Sequence, residues 1–383
     1  MKPAAKLAAD WLHSPEVQAL FALLGGAGHS VHAVGGCVRN ALLGAPVADI
    51  DFATSAPPET VGQLAKAAGH RVLPTGIAHG TVTVLIGASA FEVTTWRHDV
   101  ATDGRRATIA YAERLEDDAA RRDFTMNALY VAADGTVLDP VGGLADIRAK
   151  RLRFIGNPAE RLAEDYLRSL RFFRFYAWYG QGAPDAAALA AIARAVPGLA
   201  GLSAERVGAE MARLLAAPAP VDALELMSQT GVLAALLPGA GCALLPALMQ
   251  VEQAEAAPPA WLRRLAALGN RADWAEGLRL SKAEAGHLAA LAPAERARSH
   301  AVAAQEFGAD VATDAAVLAA ARGKVLPFDW RAEIARGVAA RFPLRAADFP
   351  QLAGPDLGAA LKAARARWLA SDLRADKAVL LAG

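Results

Sequence analysis

A chain of 383 residues with a formal net charge of +1 is long enough for two to four domains and carries no global basic signature, so any polyanion partner must be met by local patches. Its two cysteines, Cys37 and Cys242, are far apart and lack metal-type spacing, which suits a reducing cytoplasm and gives no disulfide framework.

Lys6, Asp10 and Glu16 interrupt the N-terminal apolar stretch, so no signal peptide is expected. Short runs rich in Val and Thr with period-two alternation then predict strands: VHAVGG from Val31, DIDFAT from Asp49, TVTVLI from Thr81, FEVTTW from Phe91 and NALYVA from Asn127. Between them, VGQLAKAAG from Val61 follows a Ser/Pro/Glu start signal and predicts a helix. This half reads as an α/β domain on one mostly antiparallel or mixed sheet. Beyond residue 155 strand signals almost vanish, and Ala/Leu/Arg segments of helical period predict an all-α remainder. The longest uncharged run, 231–249, contains Pro238, Gly239, Gly241 and Pro246 and reads as short buried helices rather than a membrane span.

The first chemical signal is Asp49-Ile50-Asp51. On a strand, residues i and i+2 share a face, and two acids there repel unless a cation intervenes. Two Mg²⁺ ions serve such a pair in phosphoryl chemistry, one activating a hydroxyl and one clamping the leaving phosphates. Glu92 is the candidate third acid, since alternation in FEVTT puts Glu92 and Thr94 on one side. The bland alternative is a solvated strand end. Upstream, Gly35-Gly36 makes a strand-to-helix turn whose backbone N–H groups suit phosphate, and Arg39 offers charge to a triphosphate.

GGCVRNALLG…ADIDFATSA resembles the first motif of the polymerase-β-like nucleotidyltransferases, in particular the branch of bacterial tRNA CCA-adding enzymes and poly(A) polymerases, class II. Asn40 departs from it, since that motif usually shows Asp. RRDFTMNALY from Arg121 resembles the family's second motif, which implies that Asp123 contacts the ribose 2′-hydroxyl and that Arg122 and Asn127 shape the nucleotide site. Asp139 to Asp146 matches its DPxGGxxD hinge.

A helix predicted from about Pro158 to Tyr179 carries Glu164-Asp165-Tyr166-Leu167-Arg168 and Arg171. On one helix Asp165 and Arg168 share a face and make an ordinary surface pair. The resemblance to EDxxRxxR implies a protein template, with Asp165, Arg168 and Arg171 reading base edges. From Arg148 to Arg174 there are eight basic residues against three acidic ones, and the following aromatics offer either stacking surface or, at helical spacing, core.

The resemblance implies an α+β protein: a nucleotidyltransferase head with a mixed sheet (1–147), then an all-α neck for base recognition (148–216), a body (217–300) and a tRNA-binding tail (301–383). The implied activity is addition of CCA to the 3′ end of tRNA from CTP and ATP, with Mg²⁺, in the cytoplasm. The PTGIAHGTVTV run from Pro74 resembles the CCA-adding version. So does the loop Trp96 to Ala110 with Asp103, Gly104, Arg105 and Arg106, a flexible loop in the family. A-only or poly(A) addition, a silent RNA-binding protein and a small-molecule nucleotidyltransferase stay open as alternatives. His287 and His300, the histidines of the C-terminal half, are not followed by Asp, which argues against a His-Asp phosphohydrolase domain.

Overall fold

The computed structural model describes residues 5–102, 107–269 and 271–382, without the side chains of 99–102 and 107–109. The chain divides into two compact units, Met1–Leu202 with Leu226–Ala235, and Ser203–Glu225 with Leu236–Gly383.

The first unit holds ten strands: β1 (Ala5–Lys6), β2 (Val31–Val34), β3 (Asp51–Thr54), β4 (Arg71–Gly76), β5 (Thr81–Ile86), β6 (Ser89–Thr95), β7 (Arg97–Thr102), β8 (Ala107–Tyr111), β9 (Tyr130–Val131) and β10 (Thr136–Leu138). Eight form one sheet in the order β1-β10-β9-β2-β3-β6-β5-β4, while β7 and β8 pair as a separate ribbon. The sheet is mixed, because β3 and β6 run parallel and its other described pairings are antiparallel. Its helices before Leu202 are α1 (Pro15–Gly26), α2 (Gly36–Leu42), α3 (Pro58–Ala67), α4 (Leu115–Ala120), α5 (Gly143–Arg148), α6 (Pro158–Glu164), α7 (Leu167–Tyr179) and α8 (Ala186–Ala195).

Strand alternation sorts the core. Phe52 points to one face, where Phe21 of α1 and Phe91 of β6 meet it edge-on at 5.2 and 5.6 Å. Ala53 points to the other and packs with Val34, Trp96, Leu115, Ala119, Tyr130 and Ile155. Asp51 lies on this second face, at the start of β3.

Three local expectations change. Strand β3 begins at Asp51, so Asp49 sits two residues ahead of it. The run from Asn127 yields strand only at Tyr130–Val131, because Thr125–Asn127 coils into a 3₁₀ turn. Polar tethers impose that turn: Thr125 Oγ1 donates to Asp146 at 2.6 Å and Asn127 Nδ2 to Asp123 at 2.9 Å. The single helix expected over 158–179 is two, α6 and α7. Asp165 is extended, at φ −157° and ψ 107°, and its carboxylate accepts from the Leu167 N–H at 3.0 Å, starting α7 afresh. Tyr166 fills the space over Gly198, where a Cβ would lie 2.3 Å from its ring.

The DPVGG segment is a capped turn. Asp139 accepts from the N–H groups of Gly143 and Leu144 at 2.8 and 2.9 Å, and Gly142 takes a left-handed φ of +81°. Gly143 has no room for a side chain, since a Cβ would sit 2.1 Å from the Thr125 carbonyl.

The regular elements of the second unit are all helices, with no strand among its described residues. Its core encloses charge. Glu252 takes Arg263 on one oxygen (2.7 Å) and Arg264 on the other (2.7 Å), Arg263 also reaches Asp314 (2.6 Å), and Arg264 donates to the carbonyls of Leu215 and Ala217. His287 pairs with the second oxygen of Asp314 at 2.8 Å, completing an internal brace. A separate small core joins Leu344, Ala364, Trp368 and Leu380. Among the described residues no helix is long and apolar enough to cross a membrane.

Removing Glu252 leaves two buried guanidinium groups without their shared carboxylate. Glu252→Ala is expected to destabilise this unit by about 3–5 kcal/mol, read by denaturant unfolding.

Candidate active site

The acids assemble through the parallel pair. Asp51 of β3 stands in register with Glu92 of β6, so the two side chains share a face on adjacent strands. Both are exposed, as is Asp49. Partial burial among the surrounding atoms, then the charges of Glu92 and Asp49, push the Asp51 carboxyl up to about 6 against an opposing pull from Arg122.

The glycine turn lies beside them. Gly35 has φ +76° and ψ −120°, a conformation reserved for glycine, and a Cβ there would sit 3.5 Å from Arg122 Nη1. Gly36 opens α2, and the next residue, Cys37, is buried with its Sγ donating to the Val34 carbonyl at 3.3 Å. Burial first, then the charge of Asp51, pushes the Cys37 thiol up to about 11. The turn and the start of β3 are therefore immediate neighbours.

Arg39 points inward and is only 8% exposed. It donates to Asn127 Oδ1 at 2.5 Å, to Asn40 Oδ1 at 2.9 Å and to the Tyr179 hydroxyl at 2.9 Å, and its guanidinium lies over the Tyr179 and Phe175 rings at 4.3 and 5.1 Å. Burial lowers its pKa from the ordinary arginine value. The charge read from sequence as facing a triphosphate is thus committed to α7.

Arg122 is anchored by Asp118 and Tyr130, at 3.1 Å to each, and Tyr130 donates to the same Asp118 oxygen at 2.7 Å. Asp123 is saturated. One oxygen accepts from the Phe124 N–H (2.8 Å) and Asn127 (2.9 Å), the other from Arg171 Nε (2.8 Å) and Nη2 (2.5 Å). Burial alone would raise its carboxyl, but Arg171 and these hydrogen bonds outweigh that and hold it at about 2. Arg171, Asp123, Asn127, Arg39 and Tyr179 thereby form a closed circuit that begins and ends on α7.

At the junction of α6 and α7, Glu164 pairs with Arg161 at 2.6 Å and also with Arg168. Arg168 Nη1 donates to the Arg161 carbonyl at 2.8 Å, while the Asp165 carboxylate caps Leu167. Asp165 and Arg168 are therefore near neighbours but not the helical pair expected. Arg161, which sequence reasoning passed over, donates to the Arg122 carbonyl at 2.9 Å and ties this junction to the RRD segment. Tyr179 and Asp118 were missed as well, since neither stands at a motif position. Phe172, Phe173, Phe175 and Tyr176 are buried, so most of the aromatic run is core. Residues 103–106, with Asp103, Gly104, Arg105 and Arg106, lie outside the described residues.

The donor set suits a hard divalent cation: carboxylate oxygens, with Asp51 lifted first by burial and then by the charges of Glu92 and Asp49. Among the described residues no three acids, histidines or cysteines close into a preformed metal cage. A cage is not required for Mg²⁺, which keeps several waters and binds through one or two carboxylates together with substrate phosphates.

Residues 31–153 match the family described as the poly A polymerase head domain, and 183–243 match the probable RNA and SrmB-binding site of polymerase A. Among curated relatives, the chain is 35% identical to the mitochondrial CCA tRNA nucleotidyltransferase 1 of Mus musculus over 58% of its own length and 54% of the relative's. It is 41% identical to the CCA-adding enzyme of Geobacillus stearothermophilus over 55% of its length and 52% of the relative's. The chain thus spans about half the length of the curated relatives it matches. A crystal structure of the Bacillus stearothermophilus CCA-adding enzyme in complex with CTP superposes with a TM-score of 0.78 at 29% identity, covering 94% of both chains.

Because Asp51 titrates higher in the fold than in the unfolded chain, its ionisation works against folding above about pH 6 and has no effect below about pH 4, where it is protonated in both states. Asp51→Asn is therefore expected to raise the Tm by about 1–3 °C at pH 8 in metal-free buffer, solvent screening keeping the gain small. The gain shrinks as pH falls through 6, and 5 mM Mg²⁺ raises the wild-type Tm more than the variant's. Thermal melts at pH 4.5 and 8, with and without the ion, check this.

Proposed function

We propose that this chain, which carries the poly(A) polymerase head and its RNA-binding segment, adds CCA to the 3′ end of tRNA from CTP and ATP with release of diphosphate. The observation that carries the reading is the in-register Asp51–Glu92 pair, next to Asp49 and a glycine-only turn, with an acid set whose repulsion calls for a cation.

In this reading Asp49 and Asp51 hold Mg²⁺, with Glu92 as the third acid. The bound ion neutralises phosphate charge and lowers the pKa of the attacking hydroxyl. The tRNA 3′ oxygen forms a bond to the α-phosphorus, the bond from that phosphorus to the diphosphate oxygen breaks, and the hydroxyl proton passes to a carboxylate, for which Glu92 is our choice. Backbone N–H groups at Gly35 and Gly36 steady the triphosphate. Arg122, held rigid by Asp118 and Tyr130, adds positive charge beside Asp51.

The circuit gives Arg39, Asp123, Asn127 and Arg171 a bracing role: they set the distance between the acids and α7. Asp165 and Arg168, at the α6–α7 junction, read the base edge by hydrogen bonding, with Arg171 fixing their helix. We assign the head to 1–147, the neck to 148–216, the body to 217–300 and the tRNA-binding tail to 301–383. DPVGG serves as the hinge, Asp103 to Arg106 as the loop for switching from CTP to ATP, and the cytoplasm as the site of action.

The test incubates the protein with Mg²⁺ and labelled CTP or ATP on tRNA ending at the discriminator base, at CC, or on unrelated RNA. CMP addition to the first and AMP addition to the second is the expected result. AMP addition only to CC ends would identify A-only transfer, tailing of unrelated RNA would identify a poly(A) polymerase, and no transfer would refute the reading. Asp49→Ala or Asp51→Ala should lower both transfers by at least about 10³-fold while tRNA binding persists. Asp165→Ala and Arg168→Ala should cut selectivity for CTP and ATP over UTP and GTP by about 10²-fold or more.

A further inference from the structure

The circuit has one member that no motif supplies. Tyr179 is the last residue of α7, and it meets Arg39 in two ways, by a hydroxyl at 2.9 Å and by a ring whose centroid is 4.3 Å away. Arg39 needs both. A buried guanidinium ordinarily finds a carboxylate, since an uncompensated buried charge is costly. The side-chain oxygens that Arg39 touches belong to Asn127, Asn40 and Tyr179, and none of them is charged. Asn40, which stands where the family motif usually carries Asp, gives Arg39 a neutral oxygen, and Asp123 acts on Arg39 through its charge without a hydrogen bond. The aromatic face over the guanidinium supplies part of the missing stabilisation by cation–π attraction.

Asn40 also connects onward. Its Nδ2 donates to the Pro46 carbonyl at 2.8 Å, in the segment leading to Asp49, and its Oδ1 receives the Tyr179 hydroxyl at 3.3 Å as well as Arg39. The far end of α7 is thus tied to the approach to the acid pair, while Arg171, two turns earlier, is tied to Asp123. Two attachments along one helix fix its rotation as well as its position, which a single one cannot do.

We propose that Tyr179 is a positioning residue that, through Arg39 and Asn40, holds α7 in the rotation that sets nucleotide affinity and selectivity. This rests on the proposed transfer reaction. The latch predicts that nucleotide affinity and selectivity change while the chemical step is spared, and that restoring a carboxylate beside Arg39 compensates for loss of the tyrosine.

The test measures kcat and KM for all four nucleotides with Tyr179→Phe, Tyr179→Ala, Asn40→Asp and the double variants, beside Tm. Tyr179→Ala is expected to raise KM for CTP and ATP about tenfold and lower discrimination against UTP and GTP by a similar factor, with kcat within about twofold. Adding Asn40→Asp should return KM to within about threefold of wild type, because a charge-assisted pair replaces the tyrosine's contacts. Wild-type KM and selectivity in Tyr179→Ala, or failure of Asn40→Asp to rescue a folded variant, would overturn the proposal. If Tyr179→Ala does not fold, Tyr179→Phe carries the test: it keeps the ring, loses only the hydroxyl, and its raised KM must respond to Asn40→Asp. A wild-type protein that transfers nothing to tRNA would refute the underlying reaction instead, and CTP Kd by calorimetry on the same variants would then decide the latch.

Discussion

The first unit depends on a carboxylate that has been taken out of water. Asp123 is buried, and a buried charge without partners costs more than a domain can spare, so both oxygens must be occupied. Arg171 fills one side from α7, while Asn127 and the Phe124 N–H fill the other from the head. The head and α7 cannot separate here without exposing that charge unpaired. Asn127 is fixed in turn and presents its carbonyl oxygen to Arg39, whose remaining donors return to Tyr179 on the same helix. One chain of hydrogen bonds therefore joins α2, the 3₁₀ turn at Thr125–Asn127 and α7.

Asp51 is the opposite case. The same amino acid is pushed down to about 2 at position 123 and up to about 6 at position 51. Asp123 is satisfied by its own chain. Asp51 is opposed by its own chain, first through burial and then through Glu92 and Asp49, and the charge of Arg122 offsets only part of this. The fold uses its internal ion pairs to hold an unsatisfied acid cluster still. In the second unit Glu252 repeats the first strategy, with two arginines sharing one carboxylate.

The division between what the sequence reveals and what it conceals follows from range. Strand alternation is a local property, so β2, β3, β5 and β6 were legible, and Glu92 could be named as a third acid; that β3 and β6 lie side by side with Asp51 and Glu92 in register was not legible. Their motif context pointed to the head-domain family that residues 31–153 match. The helix break at Asp165 was not, because Glu164-Asp165-Tyr166 has no proline or glycine; at the break Asp165 is extended, its carboxylate accepts from the Leu167 N–H, and Tyr166 packs on Gly198. The inward course of Arg39 was concealed for a stronger reason. Its partner Tyr179 lies 140 residues away, and pattern along the chain carries no information about such a contact. Asn127, read as strand, follows a side-chain tether that overrides its neighbours' β propensity.

If the buried Asp123–Arg171 contact couples the position of α7 to the proposed nucleotide site, the two residues act as a unit. A double-mutant cycle with Asp123→Asn and Arg171→Gln, read as kcat/KM for CTP on tRNA lacking CCA, measures that coupling directly. The expected coupling is more than about 1 kcal/mol, with the double variant much less impaired than the sum of the singles. Single-variant losses that add to within about 0.3 kcal/mol would contradict it, since the two residues would then act independently.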